Sequence, residues 1–482
     1  MKFGVMRPFV SAVSFGLCVG FAAAPASADN VLTSVFRFYQ STTEADLIFG
    51  DAGYLFGTTN SYSVGHGGTI FKVLPDGTGI QTVYQLGGSD GISPNSGLLK
   101  ASDGNYYGTT QFSSRGVQYA AVGNGTIYQL KTNSGAPTYT TLHTFDPTSP
   151  KLEGSFVLIT NGGYVQGSDL IEADTFIWGV TPYGGANGTG TVYSFPLASP
   201  TTTPTFYSLN AADANGKNAG GVQPAGSLIK GSDGFFYGTT VAGGANGAGA
   251  VFRFDGAGTF TSVLDFSALD STGHTDCGTT PLGGVIEANG ALYGTASAGG
   301  GSGFGTVFRI PLSAIANGAM LTCADITYAS LDGTNAYNPV AELITKDAST
   351  LVGTSVGGSS TLPYGNIFQV DISQDTPVVT NVIAFDATHG AAPRTRLLQG
   401  SDGTYYGTTS SGGGDYCTAG TVYRYGPSGP ADAGSPCPST GGGSMTPALL
   451  LLLSTLGLAR RFTYSLPRTA TRKRSASGRS LS

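Results

Sequence analysis

A β-propeller of seven four-stranded blades, an all-β fold, is what the sequence predicts. Three observations predict it: a composition suited to strands and turns, one unit repeated seven times, and two chain ends that complete each other. Of 482 residues 76 are Gly and only 11% are charged, while 40% are hydrophobic, including 24 Tyr and 26 Phe. That much apolar material can bury a large core, which excludes a disordered chain. Gly, Thr, Ser and aromatic residues favour turns and strands, and the scarcity of Glu, Lys and Arg argues against helices.

In chain order, residues 1–28 read as a signal peptide. They carry Lys2 and Arg7, an apolar run from Phe9 to Ala24, and then Ala26-Ser27-Ala28, the small-residue pattern cut by signal peptidase. Cleavage is expected after Ala28, with Asp29 as the first mature residue. Cys18 follows Phe15-Gly16-Leu17, which lacks the small neighbour of a lipoprotein cut. Val31 to Phe38 then reads as a lone strand.

The repeated unit begins next. An apolar residue followed by Gly and Thr- or Ser-like residues recurs at Phe56-Gly57-Thr58-Thr59, Tyr107-Gly108-Thr109-Thr110, Trp178-Gly179-Val180-Thr181 and Tyr237-Gly238-Thr239-Thr240. It continues at Tyr293-Gly294-Thr295-Ala296, Val352-Gly353-Thr354-Ser355 and Tyr406-Gly407-Thr408-Thr409. The glycines lie 51, 71, 59, 56, 59 and 54 residues apart, too long for a coil of a β-helix and suited to a propeller blade.

The fourth unit shows the blade. Ser227 to Lys230 reads as a first strand, Asp233-Gly234 as a tight hairpin, Phe235 to Thr240 as the second strand, Ala250 to Phe254 as the third and Phe260 to Phe266 as the fourth. Equivalent third strands are expected to begin at Thr69, Thr126, Thr191, Thr306, Asn366 and Thr421. The last unit ends after its third strand at Tyr425, so the lone strand at Val31 to Phe38 is expected to complete the seventh blade and remove its open edge. The propeller is thus placed over residues 29–426. Lys151 to Gln166 is an additional segment that reads as a small hairpin entering through an inter-blade connection.

With their YGTT cores, SDG turns and Gly-Gly loops before GTVF-type strands, these units resemble the GloVer tandem repeat of exported bacterial proteins with variable surface anchors. The resemblance implies an exported, surface-associated propeller and brings no established chemistry with it. The third unit departs most, with Trp178 for Tyr, Val180 for Thr and Ala173-Asp174-Thr175 in place of SDG.

After the propeller, residues 427–444 form a Pro/Gly/Ser linker ending in Gly441-Gly442-Gly443-Ser444, followed by a short apolar segment within 445–461 and a basic tail over 462–482. The apolar stretch from Met445 to Ala459 would rise roughly 22 Å as a helix, short of a hydrocarbon core about 30 Å thick. Small residues, a short apolar run and Arg460-Arg461 resemble the GlyGly carboxy-terminal sorting signal of Gram-negative envelope proteins. That resemblance implies cleavage near the glycines by a rhomboid-type protease and release or attachment at the cell surface. Family tails usually stop soon after the arginines, whereas here Phe462 to Ser482 follow. A plain carboxy-terminal membrane anchor with a positive-inside flank is the alternative.

Between Asp29 and Gly443 the chain carries 14 Lys+Arg against 29 Asp+Glu, a net charge of −15. Such a body repels phosphate backbones, so nucleic acid is not an expected partner. Cys277, Cys323, Cys417 and Cys437 remain after processing, and an even count in an exported chain suggests disulfides. Sequence nearness suggests Cys277 with Cys323 and Cys417 with Cys437. The first pair is the less secure, because Cys277 precedes an inner strand on one face and Cys323 an outer strand near the other. No pair has C-x-x-C spacing, and no cofactor is expected. His66, His274 and His389 lie in loops and His143 on a fourth strand, without a carboxylate pattern that would make a metal site. No G-x-S-x-G, H-E-x-x-H or P-loop motif occurs, although carboxylates from separate blades could converge without leaving a linear trace.

The expected function is that of an exported, surface-attached, non-enzymatic binding module for a glycan or a protein. A glycan-processing hydrolase or lyase is the first alternative, and a structural envelope protein without ligand the second. The expected ligand face is formed by loops between second and third strands. These carry Tyr62, Phe112, Tyr119, Tyr183, Phe304, Tyr364 and Tyr416, whose rings combine apolar breadth with polar edges.

Overall fold

The computed structural model describes residues 30–427, except 39–42, 44, 61–66, 88, 116–120, 123–124, 134, 146–153, 156–168, 317 and 413–418. The leader, the linker beyond Pro427, the sorting segment and the basic tail therefore lie outside the described residues, as does the Cys417–Cys437 pairing.

Seven four-stranded antiparallel blades form a ring. Six blades are continuous in sequence, and their second strands are Leu55–Thr59, Tyr106–Thr110, Phe176–Thr181, Phe236–Ala242, Ala291–Ala296 and Thr350–Ser355. The seventh is composite: Tyr405–Ser411 and Thr421–Pro427 are followed in space by the amino-terminal strand Asn30–Arg37. That strand pairs antiparallel with Thr421–Pro427, from Asn30 opposite Pro427 to Arg37 opposite Thr421, with one bulge between Ser34 and Phe36. All six remaining third strands begin at the expected residues, Thr69, Thr126, Thr191, Thr306, Asn366 and Thr421. In the fourth blade the first strand, Val222–Lys230, starts earlier than Ser227. Beyond a bulge, Val222 and Pro224 pair with Ala242 and Thr240 of a second strand that also runs longer than expected.

The recurring Gly has a packing cause. In every blade it stands directly opposite an aromatic residue of the third strand, as Gly57 opposite Phe71 and Gly238 opposite Phe252. The partner ring lies across the glycine, and a β-carbon on Gly238 would come 2.6 Å from Phe252 Cζ. Gly238→Ala is therefore expected to destabilise the protein by about 1–3 kcal/mol, as other overpacked cores are. Adding Phe252→Leu should recover part of the loss, which a double-mutant cycle in urea measures. A neutral Gly238→Ala would remove the packing explanation.

The threonine after the Gly clasps the next blade. Thr58 Oγ1 donates to the Pro94 carbonyl at 2.9 Å, Thr239 to Gly283 at 2.9 Å, Thr295 to Ala341 at 3.4 Å, Thr354 to Thr395 at 3.1 Å, and Thr408 to Ala45 at 3.2 Å across the closure. The second unit differs, since Thr109 meets Ser96 of its own blade, and Val180 in the third has no hydroxyl. Burial follows the same geometry. The apolar clusters of the described residues lie at the seams, each shared by two neighbouring blades, such as Trp178, Val180 and Leu209 with Leu228, Phe236 and Phe252.

Cys277 and Cys323 are bonded, their Cα atoms 5.4 Å apart. The expectation that the strand order keeps them on different faces is corrected by the course of the chain before Cys323. Leu321 lies parallel to Leu264 on the fourth blade's outer strand, its N–H donating to the Val263 carbonyl at 2.8 Å. Running along that strand carries Cys323 to the face where Cys277 sits.

Candidate functional site

The first strands line the axis of the ring, and the unit's own pattern determines what they present there. In each blade one aliphatic residue of this strand stands opposite the apolar residue that precedes the recurring Gly: Ile48, Leu99, Ile171, Ile229, Ile286, Ile344 and Leu398. All seven are half-buried, and the residue before each is a buried Leu or Val. Two positions before the half-buried residue the units diverge. Asp46, Asp169, Glu342 and Arg396 occupy that position in the first, third, sixth and seventh blades, and Gly97, Ser227 and Gly284 in the others.

These four charged side chains meet. Arg396 Nε lies 3.3 Å from Asp46 Oδ2, one terminal nitrogen 3.3 Å from Asp169 Oδ2, and the other 3.2 Å from Glu342 Oε2. The second oxygen of each carboxylate accepts a backbone N–H: Asp46 from Arg396 at 2.8 Å, Asp169 from Gly97 at 2.6 Å and Glu342 from Ser227 at 2.5 Å. The small residues at the intervening positions make room for this. A β-carbon on Gly284 would lie 2.5 Å from Glu342 Oε1, and one on Gly97 would lie 2.9 Å from Asp169 Oδ1. One guanidinium thus joins four blades across the axis.

Three carboxylates around one cation leave an excess of negative charge. Burial first, and then the Asp169 charge, hold the Asp46 carboxyl well above the ordinary carboxylate range, against the pull of Arg396. Burial also raises Asp169, again opposed by Arg396. Burial opposes the charge of Arg396, yet the three carboxylates raise its proton affinity above the usual value.

Toward the first hairpins two members of this cluster, Glu342 and Arg396, bound a cavity of about 340 Å³ walled by Ile48, Ile229, Ile286, Ile344 and Leu398. No linear motif marks this cluster in the sequence. Aligning the seven units would have placed its members in one column.

Of the seven expected loop aromatics, Tyr62, Tyr119 and Tyr416 lie outside the described residues, as does His66. Phe112 is half-buried in a bridge with Ile92. Tyr183 is half-buried in a two-residue strand, and Ser155 of the additional segment pairs with it. Most of that segment, residues 156–166, lies outside the described residues. Phe304 packs against Tyr337, centroids 4.9 Å apart, and Tyr364 is 41% exposed. No ring contact among the described residues joins two of these four; each belongs to its own blade's loop. His389 Nδ1 pairs with Asp386 at 2.8 Å, His274 sits in a turn beside Thr272, and His143 packs on Phe145 and Phe206. Among the described residues no group of three or more His, Cys, Asp or Glu is arranged to hold a metal ion, and no helix is long and apolar enough to cross a membrane.

Solved structures align with this chain at low identity. The extracellular domain of a one-component system from B. thetaiotaomicron aligns at 10% identity and TM-score 0.45, covering 82% of this chain and 39% of that one. An ancestral GH74 enzyme aligns at 13% and TM-score 0.46, covering 82% and 49%. A gluconolactonase from Xanthomonas campestris aligns at 11% and TM-score 0.35, covering 82% and 89%. The chain thus spans less than half of the first two. No curated protein matches it in sequence. The model of the Gloeobacter/Verrucomicrobia repeat, in contrast, matches residues 19–215, 155–324 and 278–433, which together take in all seven blades. With the glycine–aromatic pairing repeated in each of those blades, the chain belongs to the Gloeobacter/Verrucomicrobia repeat family.

Proposed function

We propose that this protein is an exported binding module without catalytic activity, held at the cell surface after removal of residues 1–28 and processing near Gly443. One observation carries the non-enzymatic reading: each oxygen of the axial carboxylates is engaged, one by Arg396 and the other by a backbone N–H or, for Asp46, by Arg396's own N–H. A general acid or base needs a free oxygen within reach of its substrate, and these oxygens hold the blades together. Signal peptidase and a rhomboid-type sorting protease are the processing partners in this reading, and a glycan or a protein is the ligand. In this reading Tyr183 and Tyr364 supply partner-facing rings at the loop end.

The test pairs a glycan array with an activity screen on the same glycans, using the secreted propeller. Binding without turnover is expected. Replacing Tyr183, Tyr364 and Tyr416 together by Ala should abolish surface attachment to a partner while leaving the melting curve intact. Turnover lost in Asp169→Asn would instead establish the hydrolase or lyase reading.

A further inference from the structure

A groove of about 240 Å³ opens at the seam between the sixth and seventh blades, at the first-hairpin end of the ring. Other seams at this end are latched. Lys100 pairs with Asp51, the Ser102 N–H donates to Glu172 at 2.7 Å, Lys230 pairs with Asp174, the Ser232 N–H donates to Glu287 at 2.8 Å, and Asn289 donates to the Ala348 carbonyl at 2.8 Å. Between the seventh and first blades Phe49 lies edge-on to Tyr406, centroids 6.1 Å apart. Phe49, Lys100, Glu172, Lys230 and Glu287 each follow the half-buried aliphatic residue of their strand by one position. The equivalent residue of the seventh blade is Gln399. Among the described residues no hydrogen bond or ion pair joins it to the sixth blade, and it lines the groove.

The lining has a specific chemistry. Tyr425 and the aliphatic side chains of Val352 and Ile367 give apolar surface, while Gln369, Gln399 and Lys346 bring polar groups to the same small volume. Each amide both donates and accepts, which matches vicinal hydroxyls that do the same. An aromatic ring suits the apolar face of a pyranose. The volume is below the roughly 300–1,000 Å³ of drug-sized pockets, so it fits a single ring rather than a folded peptide. Gln399 also lines the axial cavity, so the two spaces share a wall.

We propose that the seam between the sixth and seventh blades is a saccharide-binding site. One sugar ring sits in the groove with Gln369, Gln399 and Lys346 on its hydroxyls, and a linked ring extends past Gln399 toward the axis. The site rests on the binding-module reading but lies at the opposite end of the blades from the loop aromatics, so the two fail separately.

The test is isothermal titration of the full chain with glucose, galactose, N-acetylglucosamine, glucuronate and cellobiose, the uronate arm reading the contribution of Lys346. At least one sugar is expected to bind with millimolar or tighter Kd. Gln399→Leu and Gln369→Leu should each weaken it about tenfold, as loss of a hydrogen-bonding side chain does. If either Leu variant melts early, Lys346→Ala, which removes an exposed side chain, carries the test instead. No binding by any of the five sugars, or binding indifferent to all three seam variants, overturns the site. Indifference at the seam with loss in Tyr364→Ala would leave the binding-module reading standing.

Discussion

A chain lacking residues 29–38 is expected to lose its cooperative melting transition and to associate. The amino-terminal strand and the residue that follows it bury Leu32, Val35 and Phe38, and burying three such side chains contributes about 5–9 kcal/mol. That is comparable with the entire stability of an ordinary domain, about 5–15 kcal/mol. The deletion also exposes the backbone of Thr421–Pro427 as a free edge, ready to pair with another chain. Thermal denaturation and sedimentation velocity read both effects. An unchanged transition in a monomeric deletion variant would show that the strand is dispensable to closure.

Arg396→Leu is expected to cost about 3 kcal/mol near neutral pH, the lower end of the range for breaking a buried ion pair because the Arg396 side chain is 35% exposed. Its signature should be a pH dependence of defined sign. Asp46 and Asp169 are already raised above the ordinary value of 3.8 in the folded protein, so the folded state keeps protons that the unfolded chain releases. Stability from these groups is therefore present in acid and declines as pH rises from about 4 through their raised values. Removing the one cation among them raises them further, so urea midpoints of Arg396→Leu should fall below wild type most at high pH and approach it in acid. Asp46→Asn, which keeps the shape without the charge, should flatten the dependence. A loss in Arg396→Leu that does not vary with pH would mean that the cluster acts through packing alone.

What the sequence revealed and what it hid follow from how the units are built. The blades were legible because Gly238 must be Gly under Phe252, a constraint repeated in every unit, and six of the seven third strands announce themselves with a Thr or Asn before alternating apolar residues. The closure was legible because one strand had no neighbours in sequence. The axial cluster was hidden because Asp46, Asp169, Glu342 and Arg396 differ from one another and are ordinary single charges in the linear chain. Only the column of buried Leu and Val beside them, with Gly97, Ser227 and Gly284 as gaps, marks them as facing one another. The Cys277–Cys323 bond was legible from sequence nearness, and it looked the less secure pair only because strand order alone does not say that Leu321 runs alongside the preceding blade.

The clasps and the cluster also divide the task of counting. A threonine that reaches the next blade's carbonyl is indifferent to which blade that is, so clasps of this kind would serve a ring of six or eight as well as one of seven. Arg396 is different, because its three partners stand at fixed angular positions around the axis and its reach is fixed. A gene that gained or lost a unit would keep every clasp yet move Asp169 or Glu342 out of range, leaving a carboxylate buried without its cation. Ring size is thus specified where the units are least alike.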